Sequence, residues 1–281
     1  MPFSLLQPLL EIPLAFVDVE TTGASAELGD RVIELGIVRM EAGRVVSEYQ
    51  QLIDPGRRIS PGITALTGIS TAMVCGQPRF CDQLAAALQL LRGAIIVGHN
   101  VRFDLSFLHR EFRKSGREIE QTLGSVSVLD TVRIARRRFG RGGNGLQRLA
   151  PRLGVVPSAA HRALADAQTT AMVLHRLLEP IGGWNAMLCE VIRTQGGPMG
   201  LLPANPRQSI LPLELEEALE QKCAVTMDHL DASSHRTQRT IDPLHIRRVA
   251  GELVLIAHCH LRNDRRTFKV ERIVGLCRLG E

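Results

Sequence analysis

An apolar run from Leu14 to Val19 carries Asp18 in its interior and Glu20 directly after it. In an extended strand, residues i and i+2 share a face, so the two carboxylates lie side by side. On an otherwise apolar strand this pair costs desolvation and mutual repulsion. Two readings are open at this point. A divalent cation between the acids removes the cost, or the strand is a sheet edge with both acids solvated.

The flanking pattern predicts the surroundings of that strand. Arg31 to Met40 and Val45 to Ile53 read as two further strands, joined by the turn Glu41-Ala42-Gly43-Arg44 and closed by Asp54-Pro55-Gly56. Helices are predicted at Ile63–Thr71, Phe80–Leu91, Asp104–Ser115, through Arg138, over Leu146–Leu153 and at Arg162–Leu178, with short apolar strands at Ala94–Val97 and Val126–Leu129. Three antiparallel strands followed by alternating strands and helices imply an α/β fold with a mixed sheet. After Glu179-Pro180 the chain becomes rich in Gly and Pro, which reads as a linker with a short helix near Trp184–Ile192. An amphipathic helix (Leu213–Gln221) and strand-like stretches at Ala224–His229, Arg239–Ile241, Glu252–Cys259 and Thr267–Val274 then indicate a small β-rich second domain.

Composition excludes several classes. With 44% hydrophobic and 22% charged residues, the 281-residue chain is neither disordered nor fibrous. Its net charge of +5 is compatible with a nucleic-acid partner. The six cysteines form no CxxC pair and read as scattered thiols of a reducing compartment. The N-terminus lacks a basic region and is broken by prolines, unlike a signal peptide. No apolar run approaches the roughly 18 residues of a membrane span. A cytoplasmic location without membrane contact is expected.

Two more acids occupy structural junctions. Asp104 follows Gly98-His99-Asn100 at a strand-to-helix turn, and Asp166 lies five residues after His161 in an apolar helix. Each has a bland reading, as a helix N-cap or as a first-turn acid favoured by the helix dipole. His161 alone reads as a surface loop residue.

Taken together, D-x-E, H-N-x-x-F-D and H-x-x-x-x-D resemble, in that order, the DnaQ-like exonucleases of the DEDDh type, over roughly residues 10–180. Thr21-Thr22-Gly23, Leu129-Asp130-Thr131 and Leu146 to Leu153 fit the same pattern. A sister branch places Tyr four residues before the last acid; here Arg162 stands there and His161 precedes it, which selects the histidine branch. The resemblance implies a ribonuclease H-like sheet with flanking helices. It also implies that Asp18, Glu20, Asp104 and Asp166 hold two divalent ions, Mg²⁺ or Mn²⁺. Hard oxygen ligands select such ions, and two of them serve phosphodiester hydrolysis. His161 would be the general base. Thr21, Thr22, Asn100 and Phe103 match positions near the terminal nucleotide, where Phe103 either stacks on a base or belongs to the core. The basic run Arg133, Arg136, Arg137, Arg138 and Arg141 is either a solvated face or a grip on the nucleic-acid backbone.

The C-terminal segment is similar to the WYL family through Arg239-Thr240-Ile241-Asp242-Pro243, Arg266-Thr267-Phe268 and Glu271-Arg272-Ile273. Leu253-Val254-Leu255 replaces the eponymous Trp-Tyr-Leu. The resemblance implies a small Sm-like β-barrel that senses nucleic acids or nucleotides, with a basic pocket at Arg239, Arg266 and Arg272, to which Arg236, Arg262 and Arg265 could add. The same arginines could instead form a solvated or ion-paired strand face. Gln208-Ser209-Ile210-Leu211-Pro212-Leu213 resembles a sliding-clamp-binding peptide, or is simply the lead-in to the next helix.

The expected organisation is an exonuclease domain at 1–180, a linker at 181–208 and a WYL-like domain at 209–281. The expected activity is 3′→5′ removal of nucleotides from single-stranded ends, with DNA repair or proofreading ahead of RNA trimming in the manner of RNase T or oligoribonuclease. A reading from another class is a nucleic-acid-sensing regulator with a vestigial nuclease fold.

Overall fold

A computed structural model describes residues 3–278 apart from 28, 125, 158–160, 202–210, 212, 232–234 and 250–251. The first sheet is built from β1 (Leu14–Thr21), β2 (Val32–Glu41), β3 (Arg44–Leu52), β4 (Ile95–Gly98) and β5 (Val128–Asp130), in the order β3-β2-β1-β4-β5. β1 pairs antiparallel with β2 and parallel with β4, so the sheet is mixed, as the sequence pattern requires. Both faces of β1 are covered, and its side chains divide by parity. Ala15, Val17 and Val19 join a core with α3 (Phe80–Leu91) and α4 (Arg102–Lys114). Leu14 and Phe16 join a second core with α6 (Thr131–Phe139), α7 (Leu146–Arg152) and α8 (Ala163–Leu178). Asp18 and Glu20 continue the second row to the point where its apolar cover ends. β1 is central, and the solvated-edge reading is excluded.

The N-terminus of α8 is seated on β2. A Cβ on Gly36 would overlap the Ala163 carbonyl, so only glycine lets the two backbones meet there. Nearby on the same strand, fully buried Glu34 accepts from Arg162 Nη2 at 2.6 Å, from the Ala163 N–H at 2.9 Å and from Gln50 Nε2 at 2.8 Å.

Two short helices, α1 (Pro61–Thr67) and α2 (Thr71–Val74), replace the single one expected across Gly68, whose φ of 72° ends α1. A further short helix, α5 (Ile119–Leu123), follows α4. The stretch read as a linker is described as far as Leu201. Over that length it packs on the first domain through α9 (Leu188–Thr194). Leu188, Val191 and Ile192 enter the second core, while Met199 and Leu201 enter the first. The apolar spacing of this helix outweighs the Gly/Pro texture around it. The rest of that stretch, 202–208, lies outside the described residues.

The C-terminal region places α10 (Leu213–Gln221) against a five-stranded antiparallel sheet of order β10-β6-β7-β8-β9. Its strands are β6 (Val225–Leu230), β7 (Arg236–Val249), β8 (Glu252–Cys259), β9 (Asp264–Lys269) and β10 (Ile273–Arg278). The sequence pattern shortens β7 because Pro243 interrupts it. In the fold, Pro243 sits where the β7–β8 register shifts, a place where a strand tolerates proline. The last predicted strand is two, parted by the turn Val270–Arg272. Among the described residues, no helix is long and apolar enough to cross a membrane.

Replacing Gly36 by Ala should cost about 1–3 kcal/mol or more in urea denaturation, because α8 must lift from β2. The control is Gly56→Ala, where φ is 66° but the space is open; it should cost only the left-handed backbone strain, about 1–2 kcal/mol. Equal costs at the two positions would refute the seating of α8 on β2.

Candidate functional site

Three structural junctions bring the four acids to one cleft. β1 presents Asp18 and Glu20. Asp104 lies in the first turn of α4, but the N-cap there is Val101. The Asp104 carboxylate instead reaches across to β1, where Oδ1 accepts from the Val19 N–H at 3.1 Å. Asp166, in the first turn of α8, accepts from Gln147 Nε2 (2.8 Å) and from the His161 N–H (3.1 Å). Glu20, Asp104 and Asp166 are buried. Asp18 keeps some surface open to the cleft but lies deep among protein atoms.

The electrostatics follow from this crowding. Burial raises the Asp18 carboxyl well above the ordinary carboxylate range, and the negative charges of Asp104, Asp166, Glu20 and Glu34 raise it further. Glu20 is pushed to about 8 by burial and by Asp166, Glu34 and Asp104, against a small opposing effect of Arg162. Burial raises Asp104 as well, although the Val19 N–H opposes it. Asp166 stands at about 6, with burial outweighing the hydrogen bonds from Gln147 and His161. Such a cluster invites a cation. The ligand atoms of Glu20, His161 and Asp166 lie within 4.8 Å of one another. Asp18 and Asp104 flank this group, so the all-oxygen carboxylate set fits a hard divalent ion.

Burial lowers the His161 imidazole pKa, which keeps it neutral near pH 7. Its φ of 57° is a left-handed conformation that few side chains adopt, and Asn100 in the β4–α4 turn has φ 62°. These two of the five non-glycine residues with positive φ among the described residues line the cleft.

The cleft encloses about 460 Å³, within the range of small-ligand sites. Thr21, Asn100 and Phe103 line it. Thr22 does not: its hydroxyl donates to Asp30 Oδ1 (2.9 Å) and accepts from the Arg31 N–H (3.1 Å), tying the turn after β1. Phe103 combines both sequence readings, since it faces the cleft while its ring packs 5.0 Å from that of Phe107. The cleft is also walled by the second domain, through Leu213, Glu214 and Glu217 of α10 and Ile273 and Leu276 of β10.

Sequence reasoning missed Glu34 and Gln147. Glu34 gave the same signal as Asp18, an acid inside an apolar strand. Gln147 gave none.

In the second domain, burial and the positive charges of Arg272 and Arg239 lower the His229 imidazole pKa. The His229 ring meets Phe268 edge-on at 5.2 Å. Arg266 is exposed on β9, two positions before Phe268 on the same face. Arg236 is paired with Asp228 at 2.6 Å. Of the clamp-like peptide, Gln208, Ser209, Ile210 and Pro212 lie outside the described residues; Leu211 packs on the second-domain core and Leu213 is buried.

Comparison with known proteins agrees with this geometry. The exonuclease family model, RNase T, matches residues 15–174, and a WYL domain model matches 212–277. The 3′-5′ exonuclease DinG of Bacillus subtilis (strain 168) is 37% identical over 166 residues, which are 59% of this chain and 17% of that protein. This chain thus spans less than a fifth of DinG's length. DNA polymerase III subunit epsilon of Treponema pallidum (strain Nichols) is 36% identical over 166 residues, 56% of this chain and 75% of that one. A solved structure of exonuclease I has the same fold over 95% of this chain and 64% of its own, at 16% identity and TM-score 0.56.

Metal-free protein should lose stability as pH rises. The folded pKa of Glu20, about 8, lies above its ordinary value of 4.5. The folded state therefore holds the extra proton, and stability present at low pH is lost as pH rises through the folded value. In EDTA, Tm should fall between about pH 4.5 and 8, and Mg²⁺ should abolish the fall. A Tm in EDTA that rises over this window would refute the uncompensated cluster.

Proposed function

The chain belongs to the exonuclease family whose model spans residues 15–174, and from that premise we propose that it is a metal-dependent 3′→5′ exonuclease acting on single-stranded or frayed ends. The observation that carries this reading is the meeting of four carboxylates from β1, α4 and α8 at the floor of one cleft. Asp18, Glu20, Asp104 and Asp166 would hold two Mg²⁺ or Mn²⁺ ions. Such ions, when bound, supply the charge that offsets phosphate and leaving oxygen and lower the pKa of the attacking water.

The chain's own groups do the rest. His161, kept neutral by burial, takes the proton of the attacking water at a ring nitrogen. The hydrogen bond from its backbone to Asp166 holds it at the cleft. Gln147 fixes the Asp166 carboxylate from the other side. The Thr21 hydroxyl donates to the Gly23 carbonyl at 2.6 Å, so its oxygen is free to accept from a 3′-hydroxyl. Phe103, braced by Phe107, offers a face to the terminal base. Asn100 lines the same wall. Thr22 would act indirectly, by holding the turn that carries Thr21.

DNA is the first-choice substrate, in repair or proofreading. The printed name of the Treponema relative, a DNA polymerase subunit, supports that choice. The second domain would guide or regulate substrate binding through an anion site at Arg239, Arg266 and Arg272. The positive charge that Arg272 and Arg239 both exert at His229 supports this site.

Incubation with labelled single-stranded DNA and RNA should give stepwise 3′ shortening with Mg²⁺ or Mn²⁺ and none in EDTA. Asp18→Ala should reduce the rate at least about a thousandfold, the scale at which loss of a reaction's main electrostatic stabiliser is felt. Equal behaviour of wild type and Asp18→Ala on every substrate would sink the catalytic reading. Arg266→Ala should weaken single-strand affinity and lower the slope of log K against log salt by about 0.7; an unchanged slope removes the anion site.

A further inference from the structure

The basic segment after β5 does not form one stripe. Arg133 Nη2 donates to the Gly196 carbonyl at 3.1 Å, and Arg138 lies over the Phe139 ring at 4.9 Å. Arg136 and Arg141 turn toward the second domain, where the first helix, α10, is strongly acidic. Arg136 Nη2 meets Glu216 at 2.9 Å, and Arg141 Nη1 meets Glu220 at 3.4 Å. Between them lies the glycine-rich loop. Its Gly143 N–H donates to Glu217 Oε2 at 3.1 Å, and Asn144 Nδ2 approaches Glu217 Oε1 at 3.4 Å. Gly142 has φ 101°, and a Cβ there would overlap the Gln221 side chain. The glycines thus bend a backbone donor toward an anion, as in phosphate-binding nests.

Three anion-accepting positions, Arg136, the loop N–H and Arg141, are therefore filled by three carboxylates of one helix. The fit is incomplete. Arg136 Nε, a donor on the basic face itself, is buried at this junction without a partner among the described residues. An unmet buried donor is costly, and a ligand with more oxygens than a carboxylate would satisfy it. The surface also runs directly into the cleft: Gly145, Leu146 and Gln147 follow Asn144 along its rim, and Gln147 holds Asp166.

We propose that the face made by Arg136, the loop at residues 142–144 and Arg141 binds the phosphates of a nucleic-acid strand, and that α10 occupies it as an acidic stand-in which the strand displaces. The inference rests on the nuclease reading for where the strand leads, but the surface itself is defined by charge. Displacing α10 also moves Leu213, Glu214 and Glu217 out of the cleft wall, so strand entry and opening of the site are one event. A regulatory role for the second domain then has a physical form. Whatever holds α10 on the basic face keeps phosphate off it.

The test is binding, read by fluorescence anisotropy with labelled ten-residue oligo-dT and oligo-rU on the full chain in EDTA, so that it stands even if no cleavage is ever found. R136Q/R141Q should weaken binding about tenfold and lower the salt slope by about 1.4, which is about 0.7 for each single-strand phosphate that no longer meets a guanidinium. E216Q/E220Q should tighten binding about tenfold, because the competing charges are gone. If the ion pairs only fasten the domains together, both double variants weaken the same fastening. They would then shift affinity in the same direction or not at all, and either result overturns the proposal. Should a double variant fold poorly, the single Glu220→Gln, at the exposed end of α10, must still tighten binding about threefold; no tightening there overturns it equally.

Discussion

The arrangement of the cleft depends on one ion pair, between buried Glu34 and the partly exposed Arg162. Glu34 is fully enclosed within the first sheet and would be a prohibitive charge alone. Arg162 and the first N–H of α8 converge on it. That convergence fixes where α8 begins, how closely it approaches β2 at Gly36, and therefore where Asp166 and His161 stand. Removing Arg162 is costly chiefly because Glu34 is then left as an uncompensated buried charge. The site thus inherits its geometry from an interaction that takes no part in the chemistry assigned to it.

The neighbouring acids are in the opposite condition. Glu34 is satisfied by a guanidinium and two N–H groups, one of them from the backbone. Asp18, Glu20, Asp104 and Asp166 share fewer donors and raise one another. Carboxylates on adjacent strands therefore differ in character. One is closed by a protein cation and belongs to the fold. The others are left short of positive charge, the condition in which a bound cation is stabilised. A metal ligand set is recognised by this deficit as much as by the residue types in it.

The second domain does more than append a module. α10 and β10 wall the cleft, and the same helix pairs with the basic face beside it. Further contacts tie the domain to the opposite rim, where Leu230 packs with Ile59 and Ile63, and Arg248 pairs with Glu27. The domain spans the mouth of the site from both sides. Its position matters to access regardless of what its own arginines bind.

The sequence alone determined the mixed α/β architecture, the β-rich second domain and the four acids with His161. All of these are written in local signals: strand and helix periods, turn residues, and carboxylates interrupting apolar runs. The pattern also separated the histidine branch from its sister through Arg162 and His161. It could not reveal that Thr22 is consumed in a turn, because hydroxyl partners are set by where Asp30 folds back. Nor could it show that 181–201 packs as part of the first domain, since its Gly and Pro texture masks three buried apolar positions of α9. The pairing of α10 with Arg136 and Arg141 lay furthest from reach. Arg136 and Glu216 are 80 positions apart, and nothing local to either one names its partner. Periodicity and residue chemistry act along the chain, so they survive in sequence. Complementary charge across a domain boundary exists only after both domains have folded, so the tertiary structure alone decided it.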